Sequence, residues 1–201
     1  IFSLEKMYFR SFKSIGYRTY LFHIYNIRKN LLGKFFWKFF KFVYFFFIRR
    51  KIYNFIKKNN YDLIIFFIDL YINEDFILKI KKMQKNCKLA NIFPDDPFNT
   101  NYFMDISNKN VLKTIKHFDF FFIWSQTISK KLKKFINKNK ICYLPFGYDQ
   151  FIHTKNKFKI KKTYDVSFVG TADQKRFNII SKLSKYKIII GGDGWKSYNL
   201  P

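Results

Sequence analysis

The residues of this chain that could do chemistry sit in loops that follow apolar runs. Asp95 and Asp96 stand together in Pro94-Asp95-Asp96-Pro97, directly after the apolar segment Lys88–Phe93. Adjacent carboxylates can orient a sugar hydroxyl, act as a general base or hold a divalent cation. Asp and Pro are also turn residues, so turn chemistry competes for each Asp taken singly, whereas the pair favours a functional role. A second place is the apolar run Val166-Ser167-Phe168-Val169, which leads into Gly170-Thr171 and then a helical segment with Arg176 in its first turn. A strand, a glycine turn and a helix N-terminus aim backbone N–H groups beyond the strand end, which suits a diphosphate, and Arg176 can pair with its oxygens. The same residues also read as a tight turn with a solvent-facing arginine. Gly191-Gly192-Asp193-Gly194-Trp195 follows the next strand. It holds a GxG, but Ser197 stands where a dinucleotide fingerprint needs its last glycine, so these glycines read as a sharp turn close to a ligand or a neighbouring loop.

Other chemistries find little support. His23, His117 and His153 share no spacing, and each reads as a surface or hydrogen-bonded residue rather than a ligand or base. Cys87 and Cys142 lack any CxxC or Cys/His pattern, which points to thiols in a reducing compartment and away from zinc or a redox pair. No GxSxG, HExxH or Walker A pattern occurs.

The elements that must position these residues alternate. Leu4, Met7, Tyr8 and Phe12 recur at helical spacing behind Ser3 as N-cap, and Gly16 ends that helix. Arg18–Ile24 reads as a strand. Asn30–Asn59 reads as one or two helices. Strands are expected at Tyr61–Ile68, Lys88–Phe93, Phe118–Trp124 and Ile141–Leu144, and helices at Glu74–Lys85, Lys109–Lys116 and Thr127–Asn137, the last capped by Ser125. The lysines 130, 131, 133 and 134 read as a solvated helix face. Strand–helix alternation implies a parallel sheet with helices on both faces, and such sheets bind ligands beyond the C-terminal strand ends. The loops after Ile68, Phe93, Trp124 and Leu144 are therefore the ones to watch. Residues 151–163 are polar and basic and read as an interdomain linker. Beyond them one further βαβ unit begins, with strand Asp165–Val169, helix Arg176–Tyr186 and strand Lys187–Ile190. The fold class expected is α/β: a Rossmann-like domain over 1–150, then the start of a second over 164–201. A lone βαβ unit cannot close its own core, so the chain is expected to be a fragment, with the first strand of its first domain also missing.

Composition bounds the partners. The 201 residues carry a formal charge of +26, with 48% hydrophobic and 23% aromatic content. Such a charge suggests a polyanion partner. A plainer cause is that Lys, Asn, Ile, Phe and Tyr use A/T-rich codons, and the chain has only two alanines, Ala90 and Ala172. The scarcity of Arg, the better bidentate phosphate reader, agrees with coding bias. The aromatic stretch Phe35–Ile48 is interrupted by Lys38 and Lys41 and is shorter than the roughly 20 residues a membrane span needs. It reads as a helix packed on the sheet or lying on a membrane surface.

Taken in order, Asp95-Asp96-Pro97-Phe98, Phe118-Asp119, Tyr143-Leu144-Pro145-Phe146-Gly147-Tyr148-Asp149 with Phe151, Asp165-Val166-Ser167-Phe168-Val169-Gly170-Thr171 with Arg176, and Gly192-Asp193-Gly194-Trp195 resemble the spore-maturation CgeB-like glycosyltransferases, which have the two-Rossmann GT-B architecture. The resemblance implies an enzyme that moves a sugar from a nucleotide-sugar donor to an envelope, polysaccharide or protein acceptor, and the reduced thiols and the aromatic, basic helix set the expected location as cytoplasmic, peripheral at most to the inner membrane face. It implies that Gly170, Thr171 and Arg176 approach the donor diphosphate. Gly192 and Gly194 would line the donor side of the cleft and Asp95 and Asp96 its acceptor side, with Pro145, Gly147 and Asp149 forming the hinge. It implies no cofactor and no catalytic metal, and assigns no catalytic residue. The partners expected are the donor and a saccharide, lipid-linked or protein acceptor, with peripheral contact to anionic membrane and no nucleic acid. The alternatives are a basic module that binds nucleic acid or an anionic membrane surface, and a non-catalytic relative of the transferase.

Overall fold

The computed structural model describes residues 3–24, 31–67, 71–98, 109–149 and 161–198. Residues 151–160 of the expected linker, Phe151 and His153 lie outside them. The chain divides into two compact units, Ile1–Asp149 and Gln150–Pro201.

The first unit is an α/β layer. Its strands β1 (Leu63–Phe67), β2 (Lys88–Phe93), β3 (Phe120–Ile123) and β4 (Ile141–Tyr143) form one parallel sheet in the order β1-β2-β3-β4. The helices are α1 (Leu4–Ser14), α2 (Leu31–Ile56), α3 (Glu74–Met83), α4 (Lys109–Thr114) and α5 (Gln126–Leu132). The sheet register pairs Ile64 with Leu89, Asn91 with Phe121 and Phe121 with Ile141, so these side chains share one face. That face builds the core. Phe66, Leu89, Phe93, Phe121, Ile123 and Ile141 pack there with Ile48, Ile52 and Ile56 of α2, Phe76, Ile77 and Ile80 of α3, Val111 of α4 and Leu132 of α5. A sequential strand order moves every crossover in one direction, and right-handed crossovers then put their helices on one face. The opposite face is covered unequally. The α1 helix meets its C-terminal end, where the Tyr8 and Phe67 rings lie 5.4 Å apart, while Leu63 and Phe120 stay exposed.

Local signals explain the element ends. The α1 helix closes at Gly16, whose φ of 91° suits glycine; Gly16 N–H donates to Lys13 O and Tyr17 N–H to Phe12 O, and the Phe12 and Tyr17 rings meet behind that turn. Asn73 caps α3 by accepting from Phe76 N–H, and Ser125 caps α5 by accepting from Ile128 N–H. Asp119 locks the start of β3 to β2: its carboxylate accepts from Leu89 N–H and its own N–H donates to Leu89 O, both at 2.8 Å. Ser3 stands at the N-cap of α1, but its side chain makes no capping bond. The helix α2 is kinked at Phe40 (φ −121°, ψ 21°), so the single long apolar stretch is two helical pieces.

One expected element is absent. Arg18–Ile24 is not a strand; residues 17–24 carry no regular structure. Alternating apolar residues make a strand only where a ladder partner exists. Here Phe22 instead packs on Phe55 of α2, and Tyr20 on Tyr61.

The second unit holds β5 (Val166–Val169) and β6 (Ile188–Gly191), paired in parallel, with α6 (Gln174–Ile180) between them. Asp165 repeats the Asp119 device: its carboxylate accepts from Lys187 N–H and its N–H donates to Lys187 O. The outward residues Val169 and Ile189 are exposed, and Val166, Phe168, Ile188 and Ile190 on the other face are half-buried.

Candidate functional site

A cavity of about 240 Å³ lies at the C-terminal ends of β2, β3 and β4 of the first unit. Its floor is Ile92, Phe93, Pro94 and Phe122, and one wall is the run from Leu144 to Asp149. Leu144 N–H still donates to Ile123 O, so β3 holds this run in place. The facing wall is α1, through Leu4, Met7, Tyr8 and Ser11. Trp124, at the end of β3, stacks on Phe146 with ring centres 5.5 Å apart and planes 17° apart. Trp124, Phe146 and Tyr148 are all exposed, and they present flat apolar faces at the cavity mouth.

One ion pair holds the two walls together. Arg10 Nη2 of α1 donates to the buried Asp149 carboxylate. A buried carboxylate needs such a partner to remain charged. The cavity thus offers aromatic and apolar surface with a single charged element at its rim, the usual make-up of a small-molecule site at the end of an open parallel sheet.

The residues expected to form a hinge, Pro145, Gly147 and Asp149, all line this cavity. Asp95 and Asp96 do not, although Pro94 does. Asp96 Oδ1 accepts from Phe98 N–H at 2.9 Å, which is turn chemistry. Partial burial pushes the Asp95 carboxyl above the usual carboxylate range, although the residue as a whole is exposed. Among the described residues no group of three or more His, Cys, Asp or Glu could hold a metal ion.

In the second unit the two glycine loops bind each other. Gly170 N–H donates to Gly191 O, Ala172 N–H to Asp193 O, and Trp195 Nε1–H to Gly170 O at 2.7 Å. Asp173 caps α6 by accepting from Arg176 N–H. The Arg176 guanidinium folds back to Thr171 O at 2.5 Å and to the Asp173 carboxylate at 3.4 Å. Gly170, Thr171, Arg176, Gly192 and Gly194 are therefore brought together, with the N–H groups of Gly170 and Ala172 engaged inside the unit.

Outside both places lies a cluster of titratable groups. Glu74, at the start of α3, accepts from His117 Nε2 at 2.7 Å and from Lys116 Nζ at 3.0 Å. The hydrogen bond from His117, then that from Lys116, holds the Glu74 carboxyl below its ordinary value. A depressed folded-state pKa stabilises the fold above the unfolded-state value, and that stability is lost as pH falls through the folded value. Glu74→Gln is therefore expected to lower the urea midpoint near neutral pH, with the gap to the parent closing as pH falls below the ordinary glutamate range. A gap independent of pH would refute the role of this carboxylate. Cys87 is buried, and desolvation pushes its thiol up to about 11, so it is chemically quiet at neutral pH.

Tyr8, Arg10 and the stacked Trp124 were not singled out as site residues by sequence. Trp124 carried one signal, its place at the C-terminal end of an expected strand. Tyr8 and Arg10 carried none, because nothing local says where the first helix docks. Comparison with models of protein families, with curated proteins and with solved structures finds no match to this chain.

Proposed function

We propose that the chain is a glycosyltransferase whose acceptor occupies the cavity at the C-terminal end of the first unit's sheet. The observation that carries this reading is the cavity itself: flat rings of Trp124, Phe146 and Tyr148 around an apolar floor, with the Arg10–Asp149 pair at one wall. Sugar rings offer apolar C–H faces that lie on aromatic rings and hydroxyls that need charged or polar partners, and the cavity supplies both kinds of group. The reaction would be attack of an acceptor hydroxyl oxygen on the anomeric carbon of the donor. A C–O bond forms, the bond to the nucleoside diphosphate breaks, and the hydroxyl proton leaves to a base.

In the same reading the donor diphosphate belongs to the second unit. Arg176 is exposed and, among the described residues, holds only Thr171 O and Asp173, both on its own turn. Its guanidinium could exchange the carbonyl for diphosphate oxygens, a charge-assisted contact that is the stronger of the two.

The test is direct. The protein is incubated with a panel of nucleotide sugars and simple saccharide acceptors, and release of nucleoside diphosphate is measured alongside saccharide binding. Saccharide-dependent release is expected, with Trp124→Ala weakening saccharide binding about tenfold through loss of the stacking face. Saccharide binding that depends on Trp124 without release from any donor would favour a non-catalytic relative. Neither binding nor release would end the proposal.

A further inference from the structure

Beyond the proposed site, the helix α2 carries an apolar face turned away from its own core. After the kink at Phe40, one side of the helix is buried through Phe45, Ile48, Ile52 and Ile56. The other side is not. Phe42, Phe46 and Phe47 are 73%, 56% and 52% exposed, and Val43 beside them is also exposed. Val43, Phe46 and Phe47 recur at three- and four-residue spacing, so they form one patch. The same spacing continues into exposed Arg50 and Lys51, and exposed Lys57 and Lys58 follow the helix end. Arg49 is not part of this row, since it turns inward to donate to Tyr71 O.

We infer that this face docks on an anionic lipid bilayer, lying in the interface with its phenylalanines in the acyl boundary and its cations on the headgroups. Solvent-exposed phenylalanines in a contiguous patch are a costly surface for a protein to keep bare. Charge decides what covers them. The patch runs into cations and has no exposed carboxylate along its row, in a chain of net charge +26, so its complement is apolar and negatively charged together. Among the described residues no helix is long and apolar enough to cross a membrane, so the helix lies on the surface. A single-stranded nucleic acid would instead need donors interleaved with the rings. Here the aromatic patch holds no polar group, and the cations come one turn later.

The experiment is co-sedimentation of the protein with vesicles of phosphatidylcholine alone or mixed equally with phosphatidylglycerol, across a salt series. Binding to the anionic vesicles is expected, weakening as salt rises. Phe46→Ser/Phe47→Ser should lower it about a hundredfold, roughly tenfold for each ring withdrawn from the acyl boundary. Arg50→Gln/Lys51→Gln should flatten the salt dependence. Lys133→Gln/Lys134→Gln, exposed lysines beyond α5, should change binding far less. Circular dichroism shows whether each variant is folded, and the charge variants carry the test alone if the phenylalanine pair is not. Several results would overturn the inference: no binding, equal binding to pure phosphatidylcholine, equal losses from the control lysines, or competition by poly-uridine that depends on Phe46 and Phe47. So would a dimer that the Phe46/Phe47 variant converts to monomer, because the patch would then be covered by a second copy.

Discussion

Gly192→Ala is expected to unfold the two-loop crossing of the second unit, at a cost of about 3 kcal/mol or more. Two causes act together. Gly192 has a φ of 126°, a conformation that L side chains rarely adopt. A Cβ there would also come within 2.2 Å of Gly170 O and 2.6 Å of Gly170 C, both backbone atoms that cannot swing away. Moving Gly170 would break its hydrogen bond to Gly191 O and the Trp195 indole bond to Gly170 O, which together join the β5 and β6 loops. Amide hydrogen exchange is the right measurement, because it reads this unit separately. Protection should be lost at residues of β5 and β6 while β2 and β3 of the first unit keep theirs. Gly147→Ala is the control, since a Cβ at Gly147 meets nothing within 4 Å and should change stability by less than about 0.5 kcal/mol. Equal protection in the Gly192 variant and the parent would refute the close approach.

Asn91→Leu is expected to raise stability by about 1–3 kcal/mol, the usual penalty of an unsatisfied buried amide. Asn91 lies in the middle of β2, fully buried, with Phe66 and Phe121 beside it in register on the core face. Among the described residues, neither its Nδ2 nor its Oδ1 has a hydrogen-bond partner. Leucine keeps the branching at Cγ and is the bulkier side chain, so it removes the desolvation penalty and adds apolar contact without a cavity, with repacking of its neighbours offsetting part of the gain. Asn91→Asp is the complementary change; it places a carboxyl among phenylalanines and should destabilise strongly as pH rises and the group must ionise. Urea unfolding followed by circular dichroism reads both. A loss of more than about 1 kcal/mol on Asn91→Leu would show that the amide is satisfied in the native protein.

Much of the secondary structure is written locally. Lys88–Phe93, apolar apart from Lys88 and Asn91, is closed by Pro94, and from Leu89 onward it forms a strand buried on both sides. Ser125 and Gly16 mark helix ends because capping bonds and a positive φ involve only near neighbours. The alternation of strands and helices sufficed for a parallel α/β sheet, and the parallel-sheet rule located the strand ends where the cavity lies.

What the tertiary structure alone decided depends on contacts between distant residues. Arg18–Ile24 has the pattern of a strand but finds no ladder, because Phe22 is taken up by α2. The strand order β1-β2-β3-β4, with α2 to α5 on one face and α1 on the other, is a choice among arrangements that the same pattern permits. The collision that makes Gly192 irreplaceable joins two loops on separate strands. Above all, the candidate site has a wall that no local signal announces: Arg10 and Asp149 are 139 residues apart in the chain, and their ion pair sets α1 against the Leu144–Asp149 run. The sequence by itself determined the α/β alternation, its strand ends and the helix ends at Gly16 and Ser125, since these follow from side-chain period and near-neighbour hydrogen bonds. The pairing of α1 with the end of the sheet, and so the cavity and its charged rim, came only from folding, because burial and ion pairing act through space without regard to separation along the chain.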